Sequence, residues 1–169
     1  MARKKTNAFW MTASVTLSAA TTYVQTTIPL GSYIDVAAKQ AIAILEVDYI
    51  SQSTTFSTNL AGDRIIDYQL TDINRGDLVV ATDTSLISRG ALAYDNSPPN
   101  FSNENALFPD TFGTLDEARM VVNDDIFFGA ETTNVSGGDT ICTVRIKAMV
   151  VSLSEKDFMA LALTSVASA

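Results

Sequence analysis

The sequence predicts a one-domain, all-β sandwich with an extended N-terminal arm over residues 1–22 and a short C-terminal helix with its tail over residues 154–169. Three observations carry that prediction. Apolar and polar residues alternate with a period of two from residue 8 to residue 153, the period of a half-buried strand. Small and β-branched residues dominate while Lys is scarce, a composition that suits pleated surfaces better than helices. A helical period sets in only after Leu153.

The elements follow in order. In residues 8–17, Ala13, Val15 and Leu17 oppose Thr12, Ser14 and Thr16, so the arm contains a candidate first strand. Residues 23–30 form the next, closed by Pro29 and Gly31. Residues 40–52 form the strongest strand. Ala41, Ala43, Leu45, Val47 and Tyr49 fall on one face and Ile42, Ile44, Glu46 and Asp48 on the other, a passage from two-sided to one-sided burial. Residues 64–71 follow, then a turn over residues 72–77, then strands at 78–82 and 86–94. Residues 95–116, with Pro98, Pro99, Pro109 and Gly113, read as a long loop. Strands at 119–122 and 126–133 flank the Asn123-Asp124-Asp125 turn, and Gly137-Gly138 leads to the last strand, 141–153. Eight or nine strands, most of them within residues 23–153, fit a single jelly roll or a related Greek-key sandwich.

Ser154 is placed to accept a hydrogen bond from the Asp157 amide, and Glu155 and Asp157 suit the positive end of a helix dipole. Phe158, Leu161 and Ala162 share one helical face, with Met159, Leu163 and Val166 beside it. Such a helix needs cover, from a neighbouring copy where its own domain is too small.

Chemistry is thin. The chain of 169 residues has no histidine, which removes the commonest general base, metal ligand and pH switch. Cys142 is the only cysteine, so no intrachain disulfide or Cys-based zinc site can form. No nucleotide-binding, nucleophile-elbow or zinc-protease motif occurs, and the carboxylate pairs Asp116-Glu117 and Asp124-Asp125 read as solvated turns, so no enzyme is expected. No apolar run reaches the length of a membrane span. The net charge of −8 repels nucleic acid at long range, and the basic tip Arg3-Lys4-Lys5 offers it a weak contact.

Asp72, Asn74, Gly76 and Asp77 imitate the opening of a calcium loop. Arg75 puts a positive charge into it, and Asp83 stands where an EF-hand has Glu. Calcium at a subunit contact, held by Asp124 and Asp125, is the remaining metal candidate, and no other cofactor is expected. Arg75-Gly76-Asp77 spells a cell-adhesion tripeptide but has an ordinary turn explanation. Asn100-Phe101-Ser102 and Asn134-Val135-Ser136 are glycosylation sequons only in a secretory pathway. Candidate anchors between subunits are Phe9 and Trp10 in the arm, Phe101, Phe108 and Phe112 in the long loop, and Phe158, Leu161 and Val166 in the helix.

The basic tip, the arm through Phe9-Trp10, the strands at 41–50 and 141–153, the Pro- and Asn-rich loop and the C-terminal helix together resemble a small single jelly-roll viral capsid protein. The resemblance is of architecture and spans nearly the whole chain. It implies a major capsid protein of the virion, its sandwich forming an icosahedral shell around the genome and its loops and arms contacting neighbours. The implied partners are copies of itself, with a second capsid protein as a further candidate. Three basic residues replace the long Arg-rich arm of many such proteins, which fits a double-stranded DNA virus whose genome is loaded by other machinery. Two alternatives remain: a phage tail or spike module that binds a receptor or carbohydrate through aromatic residues in a concave groove, and a secreted surface-layer or pilus subunit.

Overall fold

The alternation that ends the strand-rich part of the chain builds the strand at the centre of one sheet. In the computed structural model, which describes residues 2–53, 63–95, 101–108, 112–135 and 138–167, the elements are β1 (Arg3–Lys4), β2 (Phe9–Leu17), β3 (Val24–Pro29), β4 (Gln40–Ser53), β5 (Arg64–Thr71), β6 (Leu86–Asp95), β7 (Phe101–Phe108), β8 (Arg119–Val121), β9 (Asp125–Thr132), β10 (Thr140–Ser152) and α1 (Glu155–Ala167). Ser53, β7 and the end of α1 are described by their backbone course only.

Two antiparallel sheets form a sandwich. In the first, β10 lies between β4 and the N-terminal edge, where β2 and β1 pair with it in succession, and β8 lies beyond β4. In the second the order is β3-β9-β5-β6-β7. The inner faces meet in one core: Val144 and Ile146 of β10 and Ile42 and Ile44 of β4 oppose Leu70 of β5 and Phe128 of β9. Full burial of a side chain such as Phe128 or Leu70 contributes about 2–3 kcal/mol each relative to exposure.

The outer face of the second sheet carries a polar seam. Gly129 sits opposite Gln25 on one side and Gln69 on the other. The Tyr23 ring lies across Gly129, where a Cβ would collide with its hydroxyl. Gln69, fully buried, donates to the Tyr23 hydroxyl at 2.8 Å and to the Asp77 carbonyl at 2.7 Å and accepts from the Val79 amide at 2.8 Å. One side chain thus holds a loop onto the sheet.

Four sequence expectations are corrected. The candidate first strand within residues 1–22 is present as β2, but it is no part of an extended arm, because β2 is a full member of the sheet, with Met11, Val15 and Leu17 buried in the core. Residues 95–116 are not one loop. β7 adds an edge strand to β6, its polar residues tolerated because an edge is solvated. Residues 78–82 form no strand, since Gln69 takes the Val79 amide, Arg89 the Val79 carbonyl and Asp77 the Leu78 amide. The faces of β4 also switch partway. Lys147 pairs with Glu46 and Ala148 with Ile44, leaving Leu45 as a bulge, so Ile42, Ile44, Val47 and Tyr49 face the core together.

Gly129→Ala is expected to lower stability by about 1–3 kcal/mol, the range for overpacking a close contact. Urea unfolding of Gly129→Ala, Tyr23→Ala and the double variant tests this. The cost of the added methyl should shrink once the Tyr23 ring is gone, and an unchanged cost would assign it elsewhere.

Candidate assembly surfaces

The basic tip is fastened to the sheet. Arg3 and Lys4 pair with Ser152 and Val151, and the Lys5 amide donates to the Val150 carbonyl at 2.9 Å, while all three side chains remain exposed. Any phosphate they touch is met at the sheet edge rather than by a free arm. Further along, the register sets Trp10, Lys147 and Glu46 in one row and Thr12, Arg145 and Asp48 in the next. The Arg145 guanidinium lies 4.7 Å and the Lys147 amine 5.7 Å from the Trp10 ring centre, and Lys147 pairs with Glu46 at 3.1 Å. Two cations thus flank a tryptophan still 43% exposed, and two acids offset them.

Beside this row runs a groove of about 350 Å³ lined by Trp10, Thr12, Ile28, Pro29, Ser32 and Tyr33. Tyr33 is 45% exposed and stacks on Phe9 with ring centres 5.2 Å apart. Phe9 packs against its own core, so half of the expected Phe9-Trp10 anchor is internal.

Ser154 caps α1: its hydroxyl accepts from the Asp157 amide at 3.2 Å and bonds the Asp157 carboxylate at 2.7 Å, which holds that acid below its ordinary pKa. Lys39 pairs with Glu155 at 3.0 Å. Phe158 and Leu161 are half-buried, and Leu161 lines a cleft of about 650 Å³ with Phe112, Met120 and the 81–84 turn. Met159 and Leu163, one turn apart, are exposed, at 65% for Leu163. The amide of Phe112 donates to the carbonyl of the bulged Leu45 at 3.0 Å and its ring packs on the core, so Phe112 is folded onto its own sandwich. The side chains of Phe101, Phe108 and Val166 lie outside the described residues.

The residues of the calcium-loop imitation and of the adhesion tripeptide take part in internal bonds. Asp72 pairs with Arg119 at 3.2 Å, yet burial outweighs that partner and raises its pKa. Asn74 accepts from Gln25, and one Asp77 carboxylate oxygen from the Leu78 amide. Arg75, half-buried, donates to Asp83 and to the Ser85 hydroxyl at 3.1 Å each, so the tripeptide does not present its guanidinium freely. The Asp124 carbonyl accepts from the Leu30 and Gly31 amides. Among the described residues no group of three His, Cys, Asp or Glu is placed to hold a metal. Cys142 is buried, which pushes its thiol up to about 11 and leaves it unreactive. Sequence reasoning missed Tyr33 and Gln69, each a lone residue without a pattern around it.

The Ser85 hydroxyl, and then the Ser85 amide and Arg75, hold Asp83 below its ordinary pKa. A depressed folded-state value contributes stability that is complete above the unfolded value of about 3.9 and fades as pH falls through the folded one. Asp83→Asn is therefore expected to cost about 1 kcal/mol at pH 7, the upper range for a partly exposed pair, and much less at pH 2. Urea unfolding of both proteins at the two pH values measures the difference.

The chain matches no protein-family model, and no curated protein matches it in a sequence search.

Proposed function

We propose that this chain is a non-enzymatic structural subunit that assembles with its own copies into a closed shell, as a single jelly-roll capsid protein does in a virion. The pairing order is the observation that carries the reading. With β1 and the added edge strand β7 set aside, the remaining eight strands pair in nested fashion: first with last (β2 and β10), second with seventh (β3 and β9), third with sixth (β4 and β8) and fourth with fifth (β5 and β6). The contacts of β10 with β4 and of β9 with β5 join these pairs into the two sheets. A long antiparallel hairpin rolled over on itself has this order, which supports the jelly roll. Assembly is supported by the exposed Trp10, Met159 and Leu163, and the lack of catalysis by a sequence without histidine or catalytic motif.

Expression of the full chain and negative-stain microscopy test the proposal. Closed shells or regular capsomers are expected, and a protein that stays monomeric at every concentration overturns it. With Arg3, Lys4 and Lys5 replaced by Ala, particle yield is expected to be unchanged.

One observation favours a second reading, a carbohydrate-binding module. Trp10 and Tyr33 are exposed aromatics on a groove that also carries the hydroxyls of Thr12 and Ser32. Trp10 is the only tryptophan, so its fluorescence reports on that groove alone. A saturable response of a monomeric protein to an oligosaccharide would favour the module over the shell.

A further inference from the structure

A sheet edge exposes a row of unpaired N–H and C=O groups that can accept another strand, and folded proteins guard such edges with short strands, charges, prolines or bulges. Among the described residues, three of the four sheet edges are guarded. β8 pairs with only three residues of β4, whose uncovered stretch carries Glu46 and Asp48, β3 ends in Pro29, and β7 carries Glu104 between two asparagines. The fourth is not. β2 runs for nine residues without a charge, a proline or a glycine, pairs with β10 at nine consecutive positions without a bulge, and has no strand on its other side among the described residues. It presents about 30 Å of open edge. The groove lined by Trp10, Thr12, Pro29 and Tyr33 lies beside it, as a recess for side chains does in strand addition.

We propose that β2 pairs antiparallel with β2 of a second copy of this chain about a two-fold axis at Ala13, making one continuous sheet across the dimer. This deepens the self-assembly reading and rests on it. The strand is complementary to itself in that register. Thr12 meets Ser14 of the second copy, Trp10 meets Thr16, Met11 meets Val15 and Phe9 meets Leu17. Core-facing residues meet core-facing residues, as a two-residue side-chain period requires. No like charges face each other along β2, although the chain carries a net charge of −8. The basic tips stay apart, because position 5 would lie opposite position 21. A two-fold contact of this kind uses the same patch on both copies, so no second surface has to be found.

The test uses the full chain. Ala13→Cys, at the axis, is expected to form an intermolecular disulfide under mild oxidation that joins the two substituted positions, mapped by mass spectrometry. The buried Cys142 should not compete. Thr12→Glu with Ser14→Glu sets like charges opposite each other only in the dimer, since within the chain position 12 faces Arg145. Its self-association, measured by sedimentation, should weaken at least tenfold while the far-ultraviolet circular dichroism is retained. Mixing it with a Thr12→Lys, Ser14→Lys variant should restore pairing. Assembly with no cross-link, or with wild-type strength in the Glu variant, overturns the β2 pairing and leaves self-assembly standing. A wild-type chain that remains monomeric overturns both, and so does a monomer whose Trp10 responds to glycan and never to protein concentration.

Discussion

The rest of the structure depends on β10 being paired along both edges while its inner face is sealed. Cys142, Val144, Ile146 and Ala148 have no exposed surface, and β4 and the N-terminal strands occupy the two flanks. A strand so placed ties together residues from the beginning, the first third and the end of the chain. The sandwich therefore rests on pairings between distant segments, and few short-range contacts can form before the chain has closed on itself. The bulge at Leu45 belongs to the same constraint. It lets β4 keep pairing with β10 while its inward set shifts by one residue, and it frees a carbonyl for the Phe112 amide, which fixes the return of the chain toward β8.

The outer faces show how this molecule handles polar groups that the core cannot take. Gln69 is buried and satisfied by a tyrosine hydroxyl, a backbone carbonyl and a backbone amide, so one side chain does for residues 77–79 what a sheet ladder would otherwise do. Two acids nearby respond to pH in opposite directions. Burial raises Asp72, which is eased by protonation as pH falls toward the ordinary carboxyl value, whereas the Ser85 hydroxyl lowers Asp83, whose contribution is lost only as pH falls below that value. Arg119 and Arg75 hold the two acids in place by ion pairs.

Strand existence was legible wherever one face is apolar and the other polar, as in β10, β5 and β9, because burial imposes the two-residue period directly. Three things left no readable mark. The run Ala41-Ile42-Ala43-Ile44-Leu45 is apolar at every position, so a one-residue shift of faces cannot be seen in it. Residues 78–82 have the composition of a strand, but long-range bonds from Gln69 and Arg89 override that local preference. Residues 101–108 have almost no alternation, and they become a strand because β6 offers an edge. The candidate surfaces were legible as residue types and not as places. Trp10 was visible as an aromatic, but its two cations, its groove and its neighbour Tyr33 follow from the pairing of β2 with β10 and the turn after β3.

Electrostatics bears on which of these surfaces can bring copies together. Copies carrying a net charge of −8 repel one another, and screening over a Debye length of about 8 Å at physiological ionic strength leaves close approach governed by local charge. The exposed stripe on α1 is apolar but narrow, with Lys156 and Glu155 at its head, and it supplies few side chains to an interface. The β2 edge differs in kind. Its own residues are neutral, and behind it Arg145 and Lys147 face Asp48 and Glu46. Two acidic copies can therefore meet there without first overcoming like charges, and the backbone supplies a regular row of bonds that needs no special side chain. The N-terminal segment thereby remains a candidate for assembly in a changed role: it belongs to the sheet, and the edge of that sheet becomes the surface that another copy can meet.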